Sequence, residues 1–148
     1  MGDIIQPMSE IKFFHPIEVR YGDLDAQGHL NNAKYLTFFE QARIRYFVEL
    51  GLFEVGQSFM DIGVIMAESK VTYHAPVEYG TPVKAGACTC KLGNKSMTVQ
   101  QAIVHAETDE VFATGYVILV AYDYREQKTV PIPETMRTAI AAFEGLNV

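Results

Sequence analysis

From residue 31 or 32 to about Gly51 the chain has neither proline nor internal glycine, an asparagine stands where a helix N-cap belongs, and Gly51 suits a C-terminal stop. These signals predict one long helix. Set at about 100° per residue, Lys34, Thr37, Gln41, Arg45 and Glu49 form a solvent stripe, while Leu36, Phe39, Phe47 and Leu50 gather on the opposite side. Glu40 and Arg43 fall among those apolar residues. Burying an unpaired charge is expensive, so the two are expected to pair at i,i+3 or to face a polar cavity or a subunit interface.

Elsewhere the pattern leans to strands. Residues 12–21 have an extended composition, and residues 63–77, 83–92, 95–107 and 111–124 form four further β-leaning runs. Short polar or glycine-containing breaks at 92–95 and 108–110 read as hairpin connections, hence antiparallel pairing. The run 111–122 is almost continuously apolar, which predicts a strand that is central in the sheet or covered on both faces. Residues 134–143, after Pro131 and Pro133, read as a short helix. The sum is an α+β domain: a curved antiparallel five-stranded sheet around one long helix, with a short C-terminal helix.

Composition narrows the classes. With 148 residues, 49% hydrophobic and 20% charged, the chain is long enough for one globular domain over residues 1–148 with no disulfide or metal staple. No repeat or linker divides it. No apolar run approaches the roughly 18 residues of a membrane span, and residues 1–10 lack the pattern of a secretory signal, so a cytoplasmic address is expected. The formal net charge of −6 argues against nucleic acid as a partner. Cys88 and Cys90 stand alone as reduced small core residues, and His15, His74 and His105 lack metal-ligand spacing, so no metal site is expected. No glycine-rich phosphate loop is present, so no nucleotide cofactor is expected either.

The candidate chemistry lies in residues 19–46. Asp23 and Asp25 sit on a tight glycine-bearing loop that runs into the start of the helix. Helix starts leave backbone N–H groups unpartnered and carry partial positive charge, which stabilises an oxygen developing negative charge. A nearby carboxylate supplies a nucleophile or a base. That combination suits acyl-transfer hydrolysis, although aspartate ahead of a helix also serves as an ordinary turn or cap.

Three separated motifs carry a family resemblance along nearly the whole chain. The pattern D-x-D-x-x-G-H-x-N-N-x-x-Y-x-x-x-x-E-x-x-R stands here as Asp23, Asp25, Gly28, His29, Asn31, Asn32, Tyr35, Glu40 and Arg43. An extended Tyr-then-Pro-then-Gly segment stands at residues 71–80, and a Leu-Gly-x-x-Ser hairpin at 92–96. Together they resemble the hotdog-fold acyl-CoA thioesterases of the 4-hydroxybenzoyl-CoA thioesterase type.

The resemblance implies hydrolysis of a thioester to a free carboxylic acid and CoA, with no cofactor. Asp25 matches the catalytic carboxylate, as nucleophile or as base for a water, and the backbone N–H at Asn32 is the expected carbonyl-polarising group. One branch of the family has a histidine where Asn32 stands; here the nearby imidazole is His29, for which a loop-fixing bond competes with proton transfer. Another branch takes its acid from the helix at the position of Glu40, so cooperation between Asp25 and Glu40 stays open. Tyr35 and Tyr73 are read either as acyl-tunnel lining or as ordinary packing, and Phe38, Phe39, Phe47, Phe53, Phe59, Met60 and Met66 as core ahead of substrate wall, although a fatty-acyl chain would need such a lining. CoA is anionic, so a local basic cluster is needed; Lys91, Lys95 and Ser96 on the 92–96 hairpin are the candidates, against ordinary surface lysines. The implied assembly is a homodimer or a dimer of dimers with the site between subunits. Two alternatives remain: hydrolysis of acyl carrier protein thioesters, and a non-catalytic acyl-CoA binding module on the same fold.

Overall fold

The computed structural model describes residues 10–61 and 63–147, apart from the side chain of Phe59. The reading of the N-terminus rests mostly on residues outside that range, and the core assignment of Phe59 also falls outside it. Strand β1 (Phe13–Ile17) leads through a loop to helix α1 (Lys34–Glu49). Strands β2 (Val64–Tyr73), β3 (Val83–Leu92), β4 (Ser96–His105) and β5 (Val111–Asp123) follow, then a two-residue β6 (Lys128–Thr129) and helix α2 (Glu134–Glu144). Every pairing is antiparallel, in the order β1-β3-β4-β5-β2, with β6 beside the end of β5. The five expected strands are present, and β6 is an addition too short to leave a hydrophobic pattern. The apolar strand β5 lies between β4 and β2, as its composition predicted.

Two boundaries differ from expectation for local reasons. Helix α1 starts at Lys34 because the Asn31 side chain takes the Ala33 N–H at 3.0 Å, making a turn ahead of the helix. Strand β2 stops at Tyr73, short of Val77, because the N–H groups of His74 and Ala75 both turn to the Phe112 carbonyl. At the other end of α1, Gly51 takes φ 74°, the left-handed stop its position predicted.

The buried face of α1 is rotated from the expected one. Tyr35, Phe38, Phe39, Ala42, Arg43, Tyr46 and Phe47 are buried, whereas Leu36 is 44% exposed and the Glu40 side chain 69% exposed. Tyrosines and the small Ala42 fill the interior arc because their neighbours suit them, and the placement of Glu40 on the buried face is thereby corrected. Arg43 is inside: its Nη1 donates to Gln101 Oε1 at 3.0 Å, and Gln101 Nε2 donates to the Phe39 carbonyl at 2.8 Å. The expected Glu40–Arg43 pair survives only as a loose 4.0 Å contact at the surface. Met60 and Met66, read as core, are 45% and 44% exposed.

Helix α1 packs over β1, β3 and β4, and most of β2 lies exposed beyond it. Phe47 reaches toward Val64 of β2, whereas Arg45 lies by His15 of β1. Leu36 and Glu40 share the Phe47 side, so they look toward the β2 edge. Gly115 of β5 explains the close fit there: a Cβ would collide with the Lys70 carbonyl and stand 3.0 Å from the Phe39 ring. The described residues form three buried apolar clusters. One centres on Tyr35, Phe38, Phe39, Ile103 and Ala113 beneath the loop, a second on Tyr46, Met97, Leu119 and Ile140 beneath α2, and a small third joins Ile11, Cys88, Ala102 and Val104.

Candidate active site

The loop between β1 and α1 is built on Asp23. That residue is completely buried, and its carboxylate accepts hydrogen bonds from the Arg20 backbone N–H at 2.9 Å and from the Arg20 guanidinium at 2.9 and 3.2 Å. Lys34 Nζ stands 3.8 Å away. The Arg20 hydrogen bonds hold the Asp23 carboxyl below the usual carboxylate range, against the opposing effect of burial. The Asp23 carbonyl accepts the Asn31 N–H at 2.8 Å, so this one residue joins the loop's entry to the helix start. Its lone pairs are committed to structure.

Two residues on, Asp25 is held differently. Its Oδ1 accepts the Gln27 N–H at 2.9 Å and the His29 N–H at 3.1 Å, and the turn closes through the Asp25 N–H to the His29 carbonyl at 2.8 Å. Gly28 takes φ 80° inside that turn, a conformation side chains disfavour. The tip docks on the segment after β2, where Leu30 N–H donates to the Val77 carbonyl at 2.7 Å and His29 bridges Glu78. Among the described residues nothing hydrogen-bonds to Asp25 Oδ2. The carboxylate is aimed by one oxygen and available at the other.

The helix start supplies the complementary group. Ala33 N–H is taken by Asn31 Oδ1 and Lys34 N–H by the Asn31 carbonyl at 2.9 Å, while the Asn32 N–H has no partner among the described residues. Asp25, His29, Asn32, Tyr35 and Tyr73 line one cavity of about 560 Å³, with segment 74–76 forming its far wall. Burial, reinforced by neighbouring Tyr73 and Asp25, pushes the Tyr35 hydroxyl above the ordinary phenol value, so it remains a proton donor at neutral pH. The Tyr73 ring meets Tyr35 edge-on at 4.9 Å, and its hydroxyl donates to the Asn32 carbonyl at 3.0 Å.

Four sequence candidates, Asp25, His29, Asn32 and Tyr35, therefore converge in one place. Glu40 lies two turns along α1 and does not line that cavity. Lys91, Lys95 and Ser96 are at the hairpin end of β3, a strand of 10 residues, about 30 Å from its other end. That hairpin is occupied: Arg137 Nη2 donates to the Gly93 carbonyl at 2.7 Å, and Lys95 Nζ donates to Thr129 Oγ1 at 3.4 Å. Sequence reasoning missed Arg137, which carried no signal, and the hydroxyl of Tyr73, whose place in a matched segment was the signal to follow. His74, given no role, borders the cavity with its Nε2 at 2.8 Å from Thr114 Oγ1. Among the described residues no three His, Cys, Asp or Glu side chains are grouped to hold a metal ion, and no helix is long and apolar enough to cross a membrane.

An aspartate held by one oxygen, in a cavity that it shares with a residue whose helix-start N–H is unpartnered, is the arrangement that acyl-transfer hydrolysis calls for. Residues 19–140 match the model of the thioesterase-like superfamily, and the chain belongs to that family. The long-chain acyl-CoA thioesterase FadM of Escherichia coli (strain K12) is 26% identical over 121 residues, which cover 82% of this chain and 91% of that protein. The acyl-CoA thioester hydrolase YbgC of Escherichia coli O157:H7 is 23% identical over 129 residues, 87% of this chain and 96% of its own. A crystal structure of a thioesterase complexed with coenzyme A and Zn, from Thermus thermophilus, superposes with a TM-score of 0.81 at 31% identity, covering 95% of this chain and all of that one. The sheet and its central helix are thus the hotdog fold.

Proposed function

We propose that the chain is an acyl-CoA thioesterase that uses water, and no cofactor, to release a free carboxylic acid and CoA. The observation that carries this reading is that Asp25, with Oδ2 unpartnered among the described residues, and Asn32, with its N–H unpartnered, line the same cavity. Asp25 attacks the thioester carbonyl or takes a proton from the attacking water. The Asn32 N–H binds the carbonyl oxygen as negative charge develops there, a contribution typically worth about 10²–10³ in rate. The C–S bond then breaks, and CoA leaves as a thiolate that is protonated in solvent; on the nucleophilic path the acyl group stays on Asp25 as a mixed anhydride that a water hydrolyses to the free acid, and on the base path Asp25 gives its proton back to solvent. His29 acts through its backbone N–H, which holds Asp25 Oδ1. Tyr35, kept neutral, borders the reacting group.

The same reading implies a dimer. The free edge of β2 is mostly exposed, with Ile65, Met66 and Tyr73 at 40%, 44% and 49%, and open edges of this kind are rarely left unpaired. Antiparallel pairing of two β2 strands sets the Val64 end of one against the Tyr73 end of the other. The hairpin end of the partner's sheet then lies at the same end as Asp25, which is how Lys91, Lys95 and Ser96 would reach the phosphates of CoA. Leu36 and Glu40, on the side of α1 that looks toward this edge, would meet the second chain. A cytoplasmic place of action suits the free thiols of Cys88 and Cys90.

The test is thiol release from short, long and aromatic acyl-CoAs and from an acyl carrier protein thioester, with the parent chain and Asp25→Asn. Expected is turnover of at least one CoA ester and a loss of about a hundredfold in kcat/KM in the variant. Binding without turnover would make the chain a binding module, turnover of the carrier thioester alone would move the substrate, and an unaffected variant would move the acid to Glu40.

A further inference from the structure

We propose that Tyr73 is a positioning residue for the oxyanion donor: its hydroxyl, by holding the Asn32 carbonyl, fixes the direction of the Asn32 N–H. The inference rests on the thioesterase reading and deepens it. A peptide unit is planar and trans, so the Asn31 carbonyl and the Asn32 N–H point in opposite directions from one rigid plane. Lys34 N–H holds that carbonyl at 2.9 Å, which turns the Asn32 N–H away from the helix. One hydrogen bond leaves the plane free to rock about its ends. The next peptide plane holds the Asn32 carbonyl and the Ala33 N–H: the N–H is taken by Asn31 Oδ1 at 3.0 Å, within the turn itself, and the carbonyl, which lies ahead of the first helical residue, Lys34, accepts the Tyr73 hydroxyl at 3.0 Å, which ties the turn to the sheet edge. With both planes tied, neither dihedral at Asn32 can change without breaking a hydrogen bond.

Tyr73 is itself well placed to act as a fixed post. Its backbone pairs with Ala113 at the end of β2, and its ring stands against Tyr35 at 4.9 Å and 89°. Tyr35 is 3% exposed and packed in the core beneath the loop. The hydroxyl thus connects the sheet edge to the helix start, carried on the backbone at the end of β2 and on a ring that rests edge-on against Tyr35. Tyr73 touches the backbone of Asn32 and acts on the reaction through it.

The experiment compares the parent chain with Tyr73→Phe, which keeps the ring contact and removes only the hydroxyl, and uses Tyr35→Phe as a control for loss of a cavity hydroxyl. On the best acyl-CoA of the panel, Tyr73→Phe is expected to lower kcat about fivefold, the size of one ordinary hydrogen bond, with KM changed less than twofold. In the substrate-free protein the Asn32 amide signal is expected to shift and its hydrogen exchange to quicken in Tyr73→Phe and not in Tyr35→Phe. An unmoved Asn32 amide, or a change confined to KM, would overturn the proposal. If the parent chain hydrolyses no acyl-CoA, the thioesterase reading fails, and the amide measurement still decides whether Tyr73 positions this N–H.

Discussion

The Asp25 site and the Glu144 cluster each bring a carboxylate and a tyrosine to a cavity, and only the first is arranged for chemistry. At the end of α2, Glu144 Oε2 lies 2.7 Å from the Tyr46 hydroxyl and accepts the Thr89 N–H at 2.8 Å, beside a cavity of about 320 Å³. The Tyr46 hydroxyl also lies 2.9 Å from Thr89 Oγ1; its single proton serves Glu144, and the threonine hydroxyl donates the other bond. Tyr46 and Thr89 are fully buried, and burial with the nearby Glu144 pushes the Cys88 thiol up to about 12, leaving it protonated and inert. That cluster is closed about Glu144 Oε2, which takes both the Tyr46 hydroxyl and the Thr89 N–H, with the Cys88 thiol against the same carboxylate. At Asp25 one oxygen and the neighbouring Asn32 N–H are left over among the described residues, and both residues line the larger cavity. Residue composition does not separate the two places; the unpartnered helix-start N–H in the same cavity as Asp25 does.

The comparison can be broken by exchanging the expected costs. Asp25→Asn keeps an oxygen for the Gln27 and His29 N–H groups, so the hundredfold loss of activity should come with little change in Tm. Tyr46→Phe should do the opposite. Removing that hydroxyl leaves Glu144 Oε2 and Thr89 each short of a buried partner, at a cost of about 2 kcal/mol, read as a fall in Tm of several degrees. Hydrolysis per folded molecule, measured well below Tm, should stay within about twofold. A Tyr46→Phe variant that is stable but inactive would mean that the Glu144 cluster takes part in the reaction.

A smaller effect distinguishes Asp23 from its neighbour Asp25. Arg20 lowers the folded-state value of the Asp23 carboxyl, so its stabilisation is fully present above the unfolded value near 4 and is lost as pH falls through the depressed folded value. Acid unfolding followed by circular dichroism should therefore show a steep loss of stability below about pH 4. Asp23→Asn should start less stable at neutral pH and flatten the loss. An unchanged acid limb in the variant would remove Asp23 from its place as the loop's structural carboxylate.

Much of this arrangement was legible in the residues. The breaks at 92–95 and 108–110 announced hairpins, the apolar run of β5 announced an interior strand, and the Asp23–Arg43 pattern announced the loop and helix start. What escaped was relational. An apolar face drawn from Leu36, Phe39, Phe47 and Leu50 takes in Glu40, yet a tyrosine goes inside wherever its hydroxyl finds a partner, and for Tyr35 and Tyr46 that partner lies in another element. Tyr73 and Asn32 are separated by the whole of α1, so no local pattern could join them. The division of labour between Asp23 and Asp25 was also invisible as geometry, since both are loop acids and only the folded positions of Arg20 and of the Gln27 and His29 N–H groups tell them apart.

The smallest predicted effect concerns the hairpin near the closed cluster. Lys95 carries only a long bond to Thr129 and lies at the opposite end of the sheet from its own Asp25. In a monomeric site Lys95→Ala should change nothing. In a dimer joined through antiparallel β2 edges, the hairpin of the partner subunit stands near the reacting end, and the lost charge should raise KM for a CoA ester about threefold. Exposed charge contacts are modest and screened by salt, so the difference should fade as ionic strength rises. The same variant should leave kcat unaltered, because Lys95 would touch the phosphates and not the thioester. A KM that ignores both the substitution and the salt would confine the lysines of the hairpin to ordinary solvation and leave the whole site to the end of the sheet where Asp25 stands.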